Sequence, residues 1–186
     1  MDFTPEILRL AWQQVRRGSR APGIDGVSVD LFAAGAREQL AGLQRHLVAE
    51  TYLPAPAKGF FLPKASGGKR LLGIPTVRDR VVQRLLLEEL YQPLEDALLD
   101  CSYAYRPDRG IQRAARHLFF YYQVQPAWTI KADIARFFDS LCWGFLMADL
   151  QELSLESAVL QLIAGQLAAG VVINRRYFNA GHGCHH

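Results

Sequence analysis

At 186 residues with half of them apolar, the chain can bury a core and is read as a single domain. A formal net charge of +3 beside that apolar share excludes a disordered polyelectrolyte. No apolar run approaches the ~18 residues of a membrane helix. The opening MDFTPEILRLAWQQV lacks the basic start and apolar centre of a secretion signal, so a soluble, cytoplasmic protein is expected.

Ile7, Leu8, Ala11, Trp12 and Val15 recur at three and four spacing and predict a helix over 5–17. GSRAPGIDGVS is a loop by its Gly, Pro and Asp content, and helical periodicity returns from Leu31 to Leu47. Between Thr51 and Pro75, β-forming residues alternate with Pro and Gly. Two short strands are predicted there, near 59–63 and 69–74, with a turn at Ala65–Gly68. After Pro75, Val81, Val82, Leu85, Leu86, Leu90 and Tyr91 form the face of another helix. Thr76 and Asp79 have capping-box spacing at its start, and Pro93 is expected to end or kink it. A loop at Tyr103–Gly110 leads into a helix over 111–122. Trp128–Ile134 reads as a buried strand, and Leu141–Leu150 and Leu155–Ala169 read as helices. VVINRRYFNAGHGCHH begins a hairpin without completing one.

Most of the cations fall in three groups: Arg9 to Arg20, Lys58 to Arg84, and Arg106 to Arg116. An acidic stretch with Glu88, Glu89, Glu95, Asp96 and Asp100 separates the last two. Such clustering suits a surface facing a polyanion, and on charge alone it equally suits ordinary solvated faces. Cys101, Cys142 and Cys184 show no CxxC spacing, which points to reduced thiols. His182, Cys184, His185 and His186 lack the second ligand pair of a zinc site.

WTIKADIARFFDSL carries the most chemistry. A carboxylate at the end of a buried strand, Asp133, sits at a rim where it can meet a divalent metal without desolvating its own charge. Mg²⁺ takes hard oxygen ligands, commonly one or two carboxylates with substrate phosphates. A lone Asp after a strand also caps turns, so its neighbours decide the reading.

IKADIARFFDSL resembles the first palm motif of group II intron-type reverse transcriptases. FLPKASGGKRLLGIPTVRDRVVQRLL resembles the fingers motif of that family. CSYAYRPDRGIQRAARHL is similar to its next block, and RAPGIDGVSVDLF to the block that precedes the fingers. The blocks follow the family's order over about residues 1–180. SYAYRP and the WTIKAD entry are most similar to the branch associated with CRISPR adaptation genes, which implies a CRISPR adaptation integrase as a partner. The resemblance implies an α+β fold, with helices packed on a small antiparallel fingers sheet and the beginning of a palm. It divides the single partial domain into an N-terminal helical extension (1–55), fingers (56–125) and the start of the palm (126–186).

The implied activity is RNA-directed DNA polymerisation, with an RNA template, a DNA primer and dNTPs as partners. Asp133 is the implied catalytic metal ligand, joined by the backbone carbonyl of Ile134, for Mg²⁺ or Mn²⁺. Phe138 matches the position that packs under the sugar and selects deoxynucleotides, and its alternative is a core aromatic. Lys64 and Arg70 flank the ASGGK turn and match positions that hold the incoming nucleotide, a task suited to a point charge and a planar fork. Nucleic-acid contacts are implied at Arg20, Lys69, Arg78, Arg80, Arg84 and Arg106, with Tyr103 and Tyr105 as weaker stacking candidates. Asp139, despite its nearness to Asp133, is read as a helix N-terminal acid.

The sequence departs from the family after Asp133. Residues 134–186 contain no pair of adjacent aspartates, and one carboxylate does not hold two metal ions in a catalytic arrangement. Metal is therefore expected only with palm carboxylates outside this sequence, and this chain alone is expected to be inactive. A non-catalytic RNA-binding module is the alternative. An unpaired palm strand would also leave an edge for self-association.

Overall fold

A computed structural model of the chain describes residues 2–65, 67–124, 128–135 and 137–179. Helix α1 (Pro5–Arg16) starts where the Thr4 hydroxyl accepts the Ile7 N–H at 3.3 Å, with Pro5 opening the first turn. Its Leu8, Ala11 and Trp12 are buried. The periodic stretch expected as one helix is two, α2 (Val29–Ala34) and α3 (Ala36–Val48), separated at Gly35. That break lets Phe32 of α2 meet the Trp12 ring at 4.7 Å, while α3 turns Leu43 and Leu47 into the same core.

Strands β1 (Ala57–Pro63) and β2 (Lys69–Ile74) pair antiparallel from Lys58 opposite Ile74 to Pro63 opposite Lys69. Helix α4 (Val77–Ala97) follows and runs through Pro93 rather than ending there. Proline removes one N–H bond, and this end of α4 is only partly covered, so the freed carbonyl can meet solvent. Val77, Val81, Val82, Leu85 and Leu86 make α4 the spine of a core shared with α1, α2, α3 and Val159.

Helix α5 (Ile111–Val124) buries none of its described residues. Short α6 (Phe137–Ser140), then α7 (Trp143–Glu152) and α8 (Ser157–Ala168), lead to β3 (Val171–Ile173) and β4 (Arg176–Phe178). The hairpin expected to stay incomplete does close: Asn174 and Arg175 take φ of 50° and 65°, as a two-residue turn of the primed type requires. The sequence signal was weak because Asn-Arg stands where Asn-Gly is the usual marker. Strand order is β2-β1-β3-β4. The sheet is mixed rather than purely antiparallel, since Ala57 and Lys58 pair parallel with Val171 and Val172.

The α+β expectation therefore holds, with helices around a small sheet. The buried strand expected at Trp128–Ile134 does not form. Residues 128–134 have no regular structure, and Trp128 and Ile130 are 100% and 90% exposed. A strand needs a partner ladder, and no described segment pairs with this one. The unpaired palm edge invoked for self-association is consequently not formed either. Of the thiols expected to be reduced, Cys101 is free and exposed, whereas Cys142 is disulfide-bonded. Among the described residues, no helix is long and apolar enough to cross a membrane.

Candidate functional site

The β1–β2 hairpin presents the cations between which a triphosphate was expected. Its turn closes through the Lys64 N–H on the Gly68 carbonyl at 3.0 Å and the Gly67 N–H on the Lys64 carbonyl at 3.1 Å. Gly67 and Gly68 both have positive φ, 86° and 82°, which side-chain-bearing residues rarely adopt. Lys64, Lys69 and Arg70 are exposed and make no ion pair among the described residues. Arg70 lies opposite Leu62, and Lys69 opposite Pro63. Strand alternation therefore sends Lys69 and Arg70 to opposite faces.

Pro75 and Thr76 carry β2 directly into α4. Thr76 caps the helix as expected, its hydroxyl accepting the Asp79 N–H at 3.1 Å. Asp79 does more than cap. It is 1% exposed, and its carboxylate accepts the Tyr52 hydroxyl at 2.6 Å, the Thr76 hydroxyl at 2.6 Å and the Ala55 N–H at 3.2 Å. Gln166 of α8 donates to the Tyr52 oxygen at 3.0 Å, and Gln83 of α4 donates to Gln166 at 3.0 Å. Burial first, and the Asp79 carboxylate second, push the Tyr52 phenol far above its ordinary 10.0, so it remains a neutral donor. Sequence reasoning placed Asp79 at a helix start and missed this network. Tyr52, Gln83 and Gln166 carry no local pattern that announces it.

The arginines expected on nucleic acid are mostly engaged within the protein. Arg78 donates to the Leu53 carbonyl at 2.8 Å and stacks over the Tyr52 ring at 5.2 Å. Arg80 holds the Ser19 and Ala21 carbonyls at 2.5 and 2.7 Å, fastening the 18–28 loop to α4. Burial lowers its pKa, with Asp25 opposing that shift. Arg84 pairs with Glu88, and exposed Arg20 pairs with Asp30.

Arg106 is the most buried of these arginines. It is 7% exposed and grips Glu95 of α4 through two nitrogens, at 2.8 and 2.6 Å. Its third nitrogen donates to the Leu99 and Ser102 carbonyls at 2.7 and 3.0 Å. Four of the five N–H donors of this guanidinium are engaged within the protein, so it clamps the loop. Tyr103 hydrogen-bonds His117, and Tyr105 projects fully into solvent.

The Arg106 hydrogen bond holds Glu95 below the ordinary carboxylate range. A depressed carboxylate contributes stability above its unfolded pKa and loses it as pH falls through the folded value. Thermal stability of the wild type is therefore expected to fall more steeply below pH 4.5 than that of Glu95→Gln. Parallel slopes of melting temperature against pH would contradict the clamp.

Asp133 and Ile134 lie exposed in the irregular 128–135 segment. The Phe138 side chain lies outside the described residues, as does that of Asp139; both backbones belong to α6. Among the described residues, no group of three or more His, Cys, Asp or Glu side chains could hold a metal ion. Asp133 and Ile134 by themselves thus do not fit a two-metal centre. The terminal His and Cys residues weighed for zinc also lie outside the described residues.

A profile described as Reverse transcriptase (RNA-dependent DNA polymerase) matches residues 62–182, more than half of the chain. The chain belongs to the reverse transcriptase family. It is 30% identical over 158 residues to Protein YkfC of Escherichia coli, covering 83% of this chain and 42% of that protein. An uncharacterized 91 kDa protein in the cob intron of Schizosaccharomyces pombe is 32% identical over 163 residues, 86% of this chain and 19% of that one. The group II intron-encoded protein LtrA of Lactococcus lactis subsp. cremoris is 28% identical over 179 residues, 93% of this chain and 29% of LtrA. Its similarity thus extends to a group II intron-encoded protein, and it spans less than half the length of these relatives. The family match begins at Leu62, so it takes in the hairpin cations as well as Asp133.

Proposed function

We propose that this chain is the fingers and the start of the palm of an RNA-directed DNA polymerase that binds template-primer and an incoming dNTP. The observation that carries the reading is the hairpin. Lys64 and Arg70 flank a glycine turn, exposed and without an ion pair among the described residues, inside a segment matched to the family. Two exposed cations at a hairpin tip suit triphosphate oxygens, the fork of Arg70 and the point charge of Lys64 serving differently. Phe138 is the proposed deoxy-selecting gate. Asp133, with the Ile134 carbonyl, is the proposed contribution of this chain to a Mg²⁺ or Mn²⁺ site that further carboxylates would complete. Lys69, on the other face of the hairpin, is the proposed template contact, whereas Arg78, Arg80 and Arg84 support the interface from behind.

Lys64→Gln combined with Arg70→Gln is expected to weaken dNTP binding by at least roughly tenfold, since each charge-assisted bond contributes about 1.5–3 kcal/mol. Isothermal titration measures it. Because both side chains are exposed, the melting curve should not move. Unchanged affinity in the double variant would remove the hairpin from the nucleotide site.

Polymerisation requires both metals, and Asp133 has no described group of carboxylates around it. The purified chain alone is therefore expected to extend no primer on an RNA template with either Mg²⁺ or Mn²⁺. Incorporation of labelled dNTP above background would overturn that expectation. The same lone carboxylate favours a second reading, a non-catalytic RNA-binding module derived from a reverse transcriptase. The CRISPR-associated branch, with an adaptation integrase as partner, rests on the wording of SYAYRP and WTIKAD alone.

A further inference from the structure

Helix α5 has two unlike faces. Ile111, Ala115, Leu118, Phe119 and Tyr122 recur at three and four spacing on one of them. Arg109 just before the helix, then Arg113, Arg116, His117 and Phe120, occupy the other. Together with Tyr103 and Asp100, these residues line a cleft of about 430 Å³. Its cations are only partly neutralised. Arg109 is held by Asp100 at 3.1 Å and lies 3.9 Å from Glu95. Arg113 reaches only the Asp108 carbonyl at 3.4 Å, and Arg116 makes no hydrogen bond or ion pair among the described residues. The first turn of α5 has no acidic side chain, so the positive end of the helix adds to the same field.

Aromatic rings interleave with those charges. Tyr103 meets His117 edge-on at 6.1 Å, and Tyr121 lies against His117 at 5.1 Å. Phe120 lines the cleft and is 65% exposed. Cations that follow a phosphate chain, with rings on which bases stack, form the recognition surface of single-stranded nucleic acid. A duplex offers its phosphates but keeps its base faces stacked inside.

We propose that the cleft formed by Arg109 with Arg113, Arg116, His117 and Phe120 of α5 is a binding site for a single strand of nucleic acid. It is separate from the β1–β2 hairpin and does not rest on the reading of Lys64 and Arg70. The two regions lie at opposite ends of α4, whose 21 residues span roughly 30 Å. The Arg106–Glu95 clamp fixes the loop that brings α5 to the far end. Arg106 therefore positions the cleft instead of touching the strand.

The test is fluorescence anisotropy with a labelled RNA single strand of about 16 nucleotides, titrated at several salt concentrations. Arg113→Gln with Arg116→Gln should weaken binding and lower the salt slope by about 0.7 for each cation removed. Phe120→Ala should weaken binding about fivefold or more while leaving the slope unchanged. All three side chains are exposed, and unchanged circular-dichroism melting curves establish that the variants fold. A duplex of the same sequence should compete less well than the single strand. The site is overturned if the wild type binds no RNA at low salt, if the arginine double variant keeps its affinity and slope, or if the duplex competes as well. Lys64→Gln with Arg70→Gln is run in parallel and should not reproduce the Phe120→Ala loss. Since dNTP titration reports the hairpin separately, either reading can fail without the other.

Discussion

Asp79→Ala is expected to destabilise the chain by about 3–5 kcal/mol, enough to unfold much of the population of a marginally stable domain. The carboxylate accepts from Tyr52, Thr76 and Ala55, and it lies 1% exposed beneath the start of α4. Alanine leaves those donors facing a void, each costing about 1–3 kcal/mol, with incomplete additivity because they share one site. Asp79→Asn retains the shape and both hydroxyls can rotate to suit it, so roughly half the loss is expected. Urea denaturation measures both variants. An alanine variant within about 1 kcal/mol of wild type would mean that the network is incidental to stability.

Gly23→Ala is the second large effect, about 2–3 kcal/mol, for a steric reason. A Cβ there would come within 2.6 Å of the Thr76 Cα and 2.7 Å of the Thr76 nitrogen. Those are backbone atoms of the α4 cap, with no flexible side chain to yield. The 18–28 loop would have to lift, straining the Arg80 bonds to Ser19 and Ala21. Limited proteolysis should then cut the Arg16–Ser28 segment faster than in wild type. Gly26→Ala is the comparison, because nothing lies within 4 Å there although φ is +73°. Equal cleavage rates in Gly23→Ala and wild type would contradict a loop seated on Thr76.

The sequence was legible where local chemistry decides the outcome. Thr76 marked the start of α4, and ASGGK marked the hairpin turn with both its strands. Illegible features depended on residues far away. Gly35 divides a continuous periodic pattern because Phe32 seeks Trp12. Trp128–Ile134 has strand composition, yet no described segment supplies its ladder. Charge type revealed where the arginines cluster but not their engagements. Arg106 turned inward to Glu95, whereas Arg113 and Arg116 of the same block carry exposed charge. Only neighbouring backbone carbonyls separate a clamp from a contact, and they arrive through tertiary folding.

The parallel pairing of Ala57 and Lys58 with Val171 and Val172 has a kinetic consequence. The β1–β2 hairpin closes over a short turn and can form as soon as it is synthesised, whereas β3 must wait for more than half of the chain. Until then, β1 carries an open edge with Phe60, Phe61 and Leu62 nearby, a template for pairing with other nascent chains. Contacts of such long sequence separation also slow the final step of folding. Yield from expression at reduced temperature, or beside a chaperone, is thus governed by how long that edge waits for β3.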